Sequence, residues 1–125
     1  MRIKIIDFTN GETNFVTEIG AGLAVMTTEV EIGAELDAEL RIDTVYQWQN
    51  DIDFAVEASP RIALHDGQTE ITGHVESVEA PNLIILRLNA SGTLMVEVEN
   101  LPEDLALGTL LTLRTDLLEL FPFQL

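Results

Sequence analysis

The sequence predicts an all-β fold, an antiparallel barrel or sandwich with one short helix near residues 101–107. Apolar and polar residues alternate with a period of two in several runs, as in strands with one buried and one solvated face. Turn-forming residue pairs separate these runs at intervals of about ten residues. Helical periodicity is nearly absent, so we expect strands to make up most of the chain.

The first part of the chain predicts three strands joined by glycine-containing turns. Asn10-Gly11 follows a strand predicted over residues 3–8, and this pair favours a tight hairpin turn. The glycines between residues 20 and 22 separate the runs 14–19 and 23–32. These segments therefore predict consecutive antiparallel strands.

Residues 34–46 show the clearest alternation and predict one long strand. Its apolar face consists of Leu36, Ala38, Leu40, Ile42 and Tyr46. Its polar face consists of Glu35, Asp37, Glu39, Arg41 and Asp43. Residues 51–57 and 93–99 repeat the pattern, again with Asp or Glu on the polar side.

Two more hairpins are predicted in the second half of the chain. Asp66-Gly67 follows residues 61–65, and Ser91-Gly92 follows the apolar run 83–88. A nearly continuous apolar strand is expected from Thr109 to Leu120.

The helix is predicted from residues 101–107 because several end signals coincide there. Pro102 suits a first helical turn, and Glu103 and Asp104 lie where the helix dipole favours acids. Gly108 follows as a stop signal. We expect one or two helical turns.

Length and composition predict a single domain, 1–125, with a substantial core. The 125 residues contain 46% hydrophobic residues and no cysteine, which removes disulfides, thiolate metal sites and cysteine nucleophiles from consideration. No linker or repeat divides the chain. No apolar run reaches the length of a signal peptide core or a membrane span, so we expect a cytoplasmic protein.

The charge balance restricts the partners. The chain carries 22 acidic against 6 basic residues, a formal net charge of -16. A field of this sign repels the phosphates of nucleic acids and anionic membrane surfaces, and it attracts basic proteins and cations. We therefore predict a basic protein partner, no nucleic acid and no membrane.

Residues 69–123 resemble part of an OB-type barrel. The resemblance rests on Ile71-Thr72-Gly73-His74-Val75 and on the step from Leu107-Gly108-Thr109-Leu110-Leu111 to Leu117-Leu118-Glu119-Leu120-Phe121-Pro122. It implies an OB-like barrel that binds oligonucleotides or oligosaccharides through aromatic and basic groups on a strand face. Acids occupy the corresponding strands here, which argues against nucleic acid.

The sequence predicts no catalytic residues and no cofactor. Ser59, Ser77 and Ser91 lack the Gly-x-Ser-x-Gly context of a nucleophile elbow, and no phosphate-binding glycine loop is present. Carboxylate pairs carry little information among so many acids.

A metal site is the weaker interpretation of the two histidines. His65 and His74 would face each other if the Asp66-Gly67 hairpin pairs their strands, and Glu70 or Glu76 would then complete a ligand set. We interpret them instead as ordinary turn and strand residues, and predict no metal.

The candidate partner-binding site is an acidic stretch that ends near two aromatic residues of the kind that anchor interfaces. It consists of Glu29, Glu31, Glu35, Asp37, Glu39, Asp43, Tyr46, Trp48, Asp51 and Asp53. Our leading hypothesis is a non-enzymatic acidic module of the immunity or antitoxin kind that neutralises a basic protein. The alternative is that this acidic surface only keeps the chain soluble and binds no partner.

Two functional alternatives remain from the sequence. One is a structural or assembly module that forms homo-oligomers through an apolar edge, Leu107 to Phe121. The other is a cation- or sugar-binding barrel of the OB-like kind.

Overall fold

The computed structural model describes residues 1–79 and 81–123, which form twelve strands and, within those ranges, no helix. The strands are β1 (Arg2–Thr9), β2 (Glu12–Thr17), β3 (Gly20–Val25), β4 (Glu35–Arg41), β5 (Val45–Gln47), β6 (Ile52–Phe54), β7 (Arg61–His65), β8 (Gln68–Glu79), β9 (Leu83–Arg87), β10 (Thr93–Glu99), β11 (Leu110–Thr115) and β12 (Glu119–Pro122). The all-β class is therefore confirmed. No helix long and apolar enough to cross a membrane occurs in the described part of the chain.

Five strands close into a barrel in the order β1-β2-β3-β12-β4. The hairpins β1–β2 and β2–β3 are antiparallel, and β4 pairs antiparallel with both β1 and β12. A parallel contact between β12 and β3 closes the ring, with Glu119 opposite Val25 and the Val25 amide donating to the Leu118 carbonyl at 2.7 Å. A barrel is thus the correct choice between the two predicted architectures, and of residues 69–123 only β12 contributes a strand to this ring.

The remaining strands build a second curved layer around β8. This long strand pairs with β7, β9 and β11, while β10 joins β9 to the parallel strand β5. β6 pairs with β11, and a bridge between Trp48 and Ile52 brings the end of β5 to the start of β6. The layer therefore curves back on itself near Trp48.

Two predicted hairpin turns form at Asn10-Gly11 and at Asp66-Gly67. Asn10 and Asp66 both have positive φ, 53° and 51°, and each is followed by a glycine that also has positive φ. Two successive residues of positive φ are the requirement of the hairpin turn that matches strand twist.

The two layers meet through backbone and side-chain bonds between β3, β7 and β8. Gly20 lies opposite Ile62, whose amide donates to the Ile19 carbonyl at 3.0 Å. The buried Thr69 hydroxyl donates to the Leu23 carbonyl at 2.7 Å and accepts from the Leu23 amide at 3.0 Å. The buried apolar side chains of both layers form one cluster.

The predicted helix at residues 101–107 is wrong. The segment forms two isolated turns, in which Pro102 accepts from the Leu105 amide and Ala106 accepts from Thr109. The Gly108 amide donates to Val75 of β8 at 2.7 Å, so the strand ladder already begins there. Only a few residues connect β10 to this ladder, and a helix of that length would not offset the cost of nucleation.

Two predicted long strands are broken where their pairing partners change. β4 ends at Arg41, and after residues 42–44 the chain continues as β5 along β10. The run from Thr109 to Leu120 divides in the same way into β11 and β12. Alternation continues across such breaks, so it does not mark them.

Candidate functional site

The acids of β4 form one row on the outer face of the barrel, and β1 places cations beside them. Glu35 and Asp37 are exposed and Glu39 is half-buried. Lys4 lies opposite Glu35 in the ladder, and Arg2 lies opposite Asp37 with 3.6 Å between Nη1 and Oδ2. The row predicted from the sequence therefore exists, but basic residues flank it.

The end of the β4 row is a compact group of charges around Arg41. Arg41 Nη2 lies 3.0 Å from Glu39 Oε2, and its guanidinium stacks 4.3 Å above the Phe121 ring. Burial and a hydrogen bond with Asp43 raise the pKa of Glu119 above its ordinary value, against the lowering effect of Arg41. The Asp43 carboxylate therefore lies close to Glu119 of β12, the strand that closes the barrel.

Two predicted site residues lie apart from this row. Glu29 and Glu31 are exposed in the loop of residues 26–34, which connects β3 to β4. The Glu31 carbonyl accepts from the Ala34 amide at 3.1 Å, which forms a turn before β4 begins. Their carboxylates contribute to the general negative field.

Asp51 and Asp53 line an open polar groove of about 580 Å³ on the second layer. Glu70 and Asp116 lie in the same groove, where Arg114 Nε is 2.9 Å from Glu70 Oε2. Carboxylates and amides dominate its surface.

Tyr46 also borders this groove, but it belongs to the core. Its side chain is 4% exposed and its hydroxyl donates to the Arg114 carbonyl at 3.1 Å. Burial raises the pKa of the Tyr46 phenol. Of the two aromatic residues selected as anchors, only Trp48 offers surface to a partner.

Trp48 is half-buried and forms an edge-to-face pair with Phe54. The ring centroids are 5.4 Å apart and the rings are nearly perpendicular, at 87°. Both rings line a pocket of about 320 Å³ whose opposite wall comes from Pro102, Leu105 and Ala106. We call this site the Trp48 pocket.

Sequence reasoning missed Phe54 because alternation assigned it to the interior. Phe54 lies opposite the fully buried Leu111, as that assignment requires, but it is the last residue of β6 and stays 54% exposed. The wall formed by residues 102–106 was also missed, because the segment was expected to be helical. The excess of apolar residues after Pro102 was the available signal.

A tight turn holds the Trp48 pocket in place. The Gln47 amide donates to Asp51 Oδ2 at 2.9 Å, and the Gln49 amide donates to the Ile52 carbonyl at 2.8 Å. Gln49 adopts a φ of 65° to complete this turn. These bonds join the end of β5 to the start of β6 and so place Trp48 next to the strand that carries Phe54.

Every arginine is paired with a carboxylate of its own chain. The pairs are Arg2–Asp37, Arg41–Glu39, Arg61–Glu57, Arg87–Glu76 and Arg114–Glu70. These pairs use five of the 22 acids. The others leave a negative field that the chain does not compensate by its own arginines.

The two histidines do not oppose each other. His65 pairs with Gln68 at the turn, whereas His74 lies opposite Leu110 and Arg87. His74 Nδ1 is 3.0 Å from the Gly108 carbonyl. Across residues 1–79 and 81–123, no group of three or more His, Cys, Asp or Glu side chains is placed to hold a metal ion.

The segment Leu107 to Phe121 does not form a free sheet edge. β11 is paired with β6 on one side and β8 on the other, and β12 lies between β4 and β3. The predicted oligomer interface therefore lacks the unpaired backbone that an edge would present.

No protein-family model matches the chain, and neither a curated protein nor a solved structure matches it significantly.

Proposed function

We propose that this chain is a non-enzymatic acidic module that binds a basic protein partner in the cytoplasm. The observation that carries the proposal is the net charge of -16: five of the 22 acids are paired with the five arginines, and the other 17 have no arginine to neutralise them. An immunity or antitoxin protein that neutralises a basic toxin is the most specific form of this function. The five-stranded closed barrel, which we propose to be OB-like, supplies a rigid support.

The partner-binding face is proposed to centre on Trp48, with Asp51 and Asp53 beside it. A rigid aromatic anchor next to acidic groups is the arrangement that binding hot spots use against basic partners. The acids at positions 29, 31, 35 and 43 would add to the field from the barrel and its loop, and those at 37 and 39 would add less because Arg2 and Arg41 pair with them.

This arrangement acts mainly on the rate of encounter. A field of one sign raises association rates with an oppositely charged protein by about ten- to a thousandfold at low ionic strength. A neutralising protein benefits from such speed, because it must bind its target before the target acts.

Display selection of random peptides tests the proposal. We expect selected peptides to carry an excess of Lys and Arg, and Asp53→Asn to weaken their binding by about threefold. Glu12→Gln is the matched control, since it removes one exposed charge from β2 of the barrel and should change binding much less. Selection of neutral or acidic peptides, or equal effects of the two variants, would contradict the proposal.

A second candidate function is recognition of a small polar ligand such as a sugar. The groove of about 580 Å³ favours it, because amide and carboxylate side chains including Asn50, Gln68 and Asp53 line its walls. Calorimetry with a glycan panel would show saturable heat if this function is correct, and no heat with any glycan if it is not.

A further inference from the structure

The Trp48 pocket combines a pair of aromatic rings with a carboxylate. The edge-to-face rings of Trp48 and Phe54 present aromatic surface at a right angle, and Asp104 lines the same pocket. Arginine and lysine are absent from its lining in the part of the chain that the structure describes. The site thus offers π surface and a carboxylate to one occupant.

The size of the pocket limits that occupant to something small. A volume of about 320 Å³ lies at the low end of ligand pockets, which favours one inserted side chain over a larger cofactor. Pro102, Leu105 and Ala106 supply an apolar wall along which an alkyl chain can pack. The best fit is a side chain with an apolar stem and a polar head.

We propose that the Trp48 pocket receives an arginine or lysine side chain of the partner, an inference that rests on the proposed function. The cationic head would lie against an aromatic face and near the Asp104 carboxylate, with its stem along Pro102 and Leu105. A cation over an aromatic face gains more as it loses water, and the apolar wall removes water. The net charge of -16 attracts such a group and repels an acidic one.

The single tryptophan of the chain makes the insertion directly observable. A selected basic peptide is titrated against the full chain at physiological salt, with tryptophan-selective excitation. The same peptide with one basic residue at a time neutralised, arginine by citrulline or lysine by acetyl-lysine, serves as the control. We expect the fluorescence of Trp48 to change on binding, and one neutralised position to weaken binding by about tenfold while the others have small effects.

A pair of neighbouring variants separates local contact from the general field. Asp104→Asn should weaken the peptide by about fivefold, because Asp104 lines the pocket. Glu103→Gln removes the same charge from the adjacent exposed position, which does not line the pocket, so its effect should stay below about twofold. Both side chains are exposed, so neither variant should disturb folding.

The outcomes distinguish this inference from the function on which it rests. Two results would overturn the pocket assignment but not the proposal of a basic partner. One is salt-dependent peptide binding without a change in Trp48 fluorescence, and the other is an equal effect of Asp104→Asn and Glu103→Gln. Tighter binding of choline than of the peptide would also overturn it, since a free quaternary ammonium would then be the occupant. Failure of every basic peptide to bind would overturn both proposals.

Discussion

Replacing Gly20 by alanine tests how closely the two layers approach each other. A Cβ built at Gly20 would lie 1.8 Å from the Ile62 carbonyl oxygen and 2.9 Å from its carbonyl carbon. Gly20 also has a φ of +134°, a conformation that residues with a side chain rarely adopt. Alanine at this position must therefore displace β7 or change the backbone of β3.

The expected destabilisation has three contributions. Backbone strain costs roughly 1–3 kcal/mol, overpacking against the buried Ile62 costs roughly 1–3 kcal/mol, and loss of the bond from the Ile62 amide to Ile19 costs about 1 kcal/mol. We therefore expect Gly20→Ala to lower the free energy of unfolding by about 3–7 kcal/mol, a large share of a typical total.

Gly67→Ala is the matched control for this prediction. Gly67 also has positive φ, at +79°, but a Cβ there meets nothing within 4 Å. It should cost only the strain of about 1–2 kcal/mol. Urea unfolding followed by circular dichroism measures both variants. Equal destabilisation by the two substitutions would refute the close approach of Gly20 to Ile62.

Three further predictions concern stability. The pKa of Glu119 is raised in the fold, so its protonated form is favoured there. Its contribution to the free energy of unfolding is therefore present below the unfolded pKa of about 4.3 and is lost as pH rises through the folded pKa. Glu119→Gln should therefore raise the free energy of unfolding above that of the wild type at pH ~7, and by less at pH ~4, in urea titrations. An equal difference between variant and wild type at the two pH values would contradict the raised pKa. Tyr46→Phe should cost about 1 kcal/mol, because it removes the bond to the Arg114 carbonyl; a loss of peptide binding instead would mean that Tyr46 contacts the partner. Thr69→Val should cost about 2–4 kcal/mol, because it removes the bonding partner of both backbone groups of Leu23; a cost below that of Tyr46→Phe would show that these bonds do not join the layers.

Local sequence signals predicted the elements whose causes are local. Alternation over residues 35–41 and 93–99 identified β4 and β10, since a strand with one buried face leaves a period of two. Asn10-Gly11 and Asp66-Gly67 identified hairpins, because few residue pairs accept two positive φ values.

Features that depend on distant partners were not predicted. The break after Arg41 exists because β5 pairs with β10, more than forty residues away in the chain. The helix cues after Leu101 describe what the segment would favour in isolation, but the ladder between β8 and Gly108 determines its path. Alternation carries no information on which strands pair.

The candidate site shows the same division. The acids were found by composition, and Trp48 by its type and position. Tyr46 turned out to be buried, since its apolar face continues the interior of the fold. Phe54 and Asp104 come together at the Trp48 pocket from segments some fifty residues apart, and only the folded chain shows their proximity.

The most direct test of the account is the ionic-strength dependence of association with a selected basic peptide. Stopped-flow measurement of the association rate between roughly 0.02 M and roughly 0.5 M salt should show a fall of at least about tenfold, because screening removes the attraction of the uncompensated acids. The dissociation rate should change much less. An association rate that stays constant across this range would contradict the claim that the acidic surface recruits a basic partner.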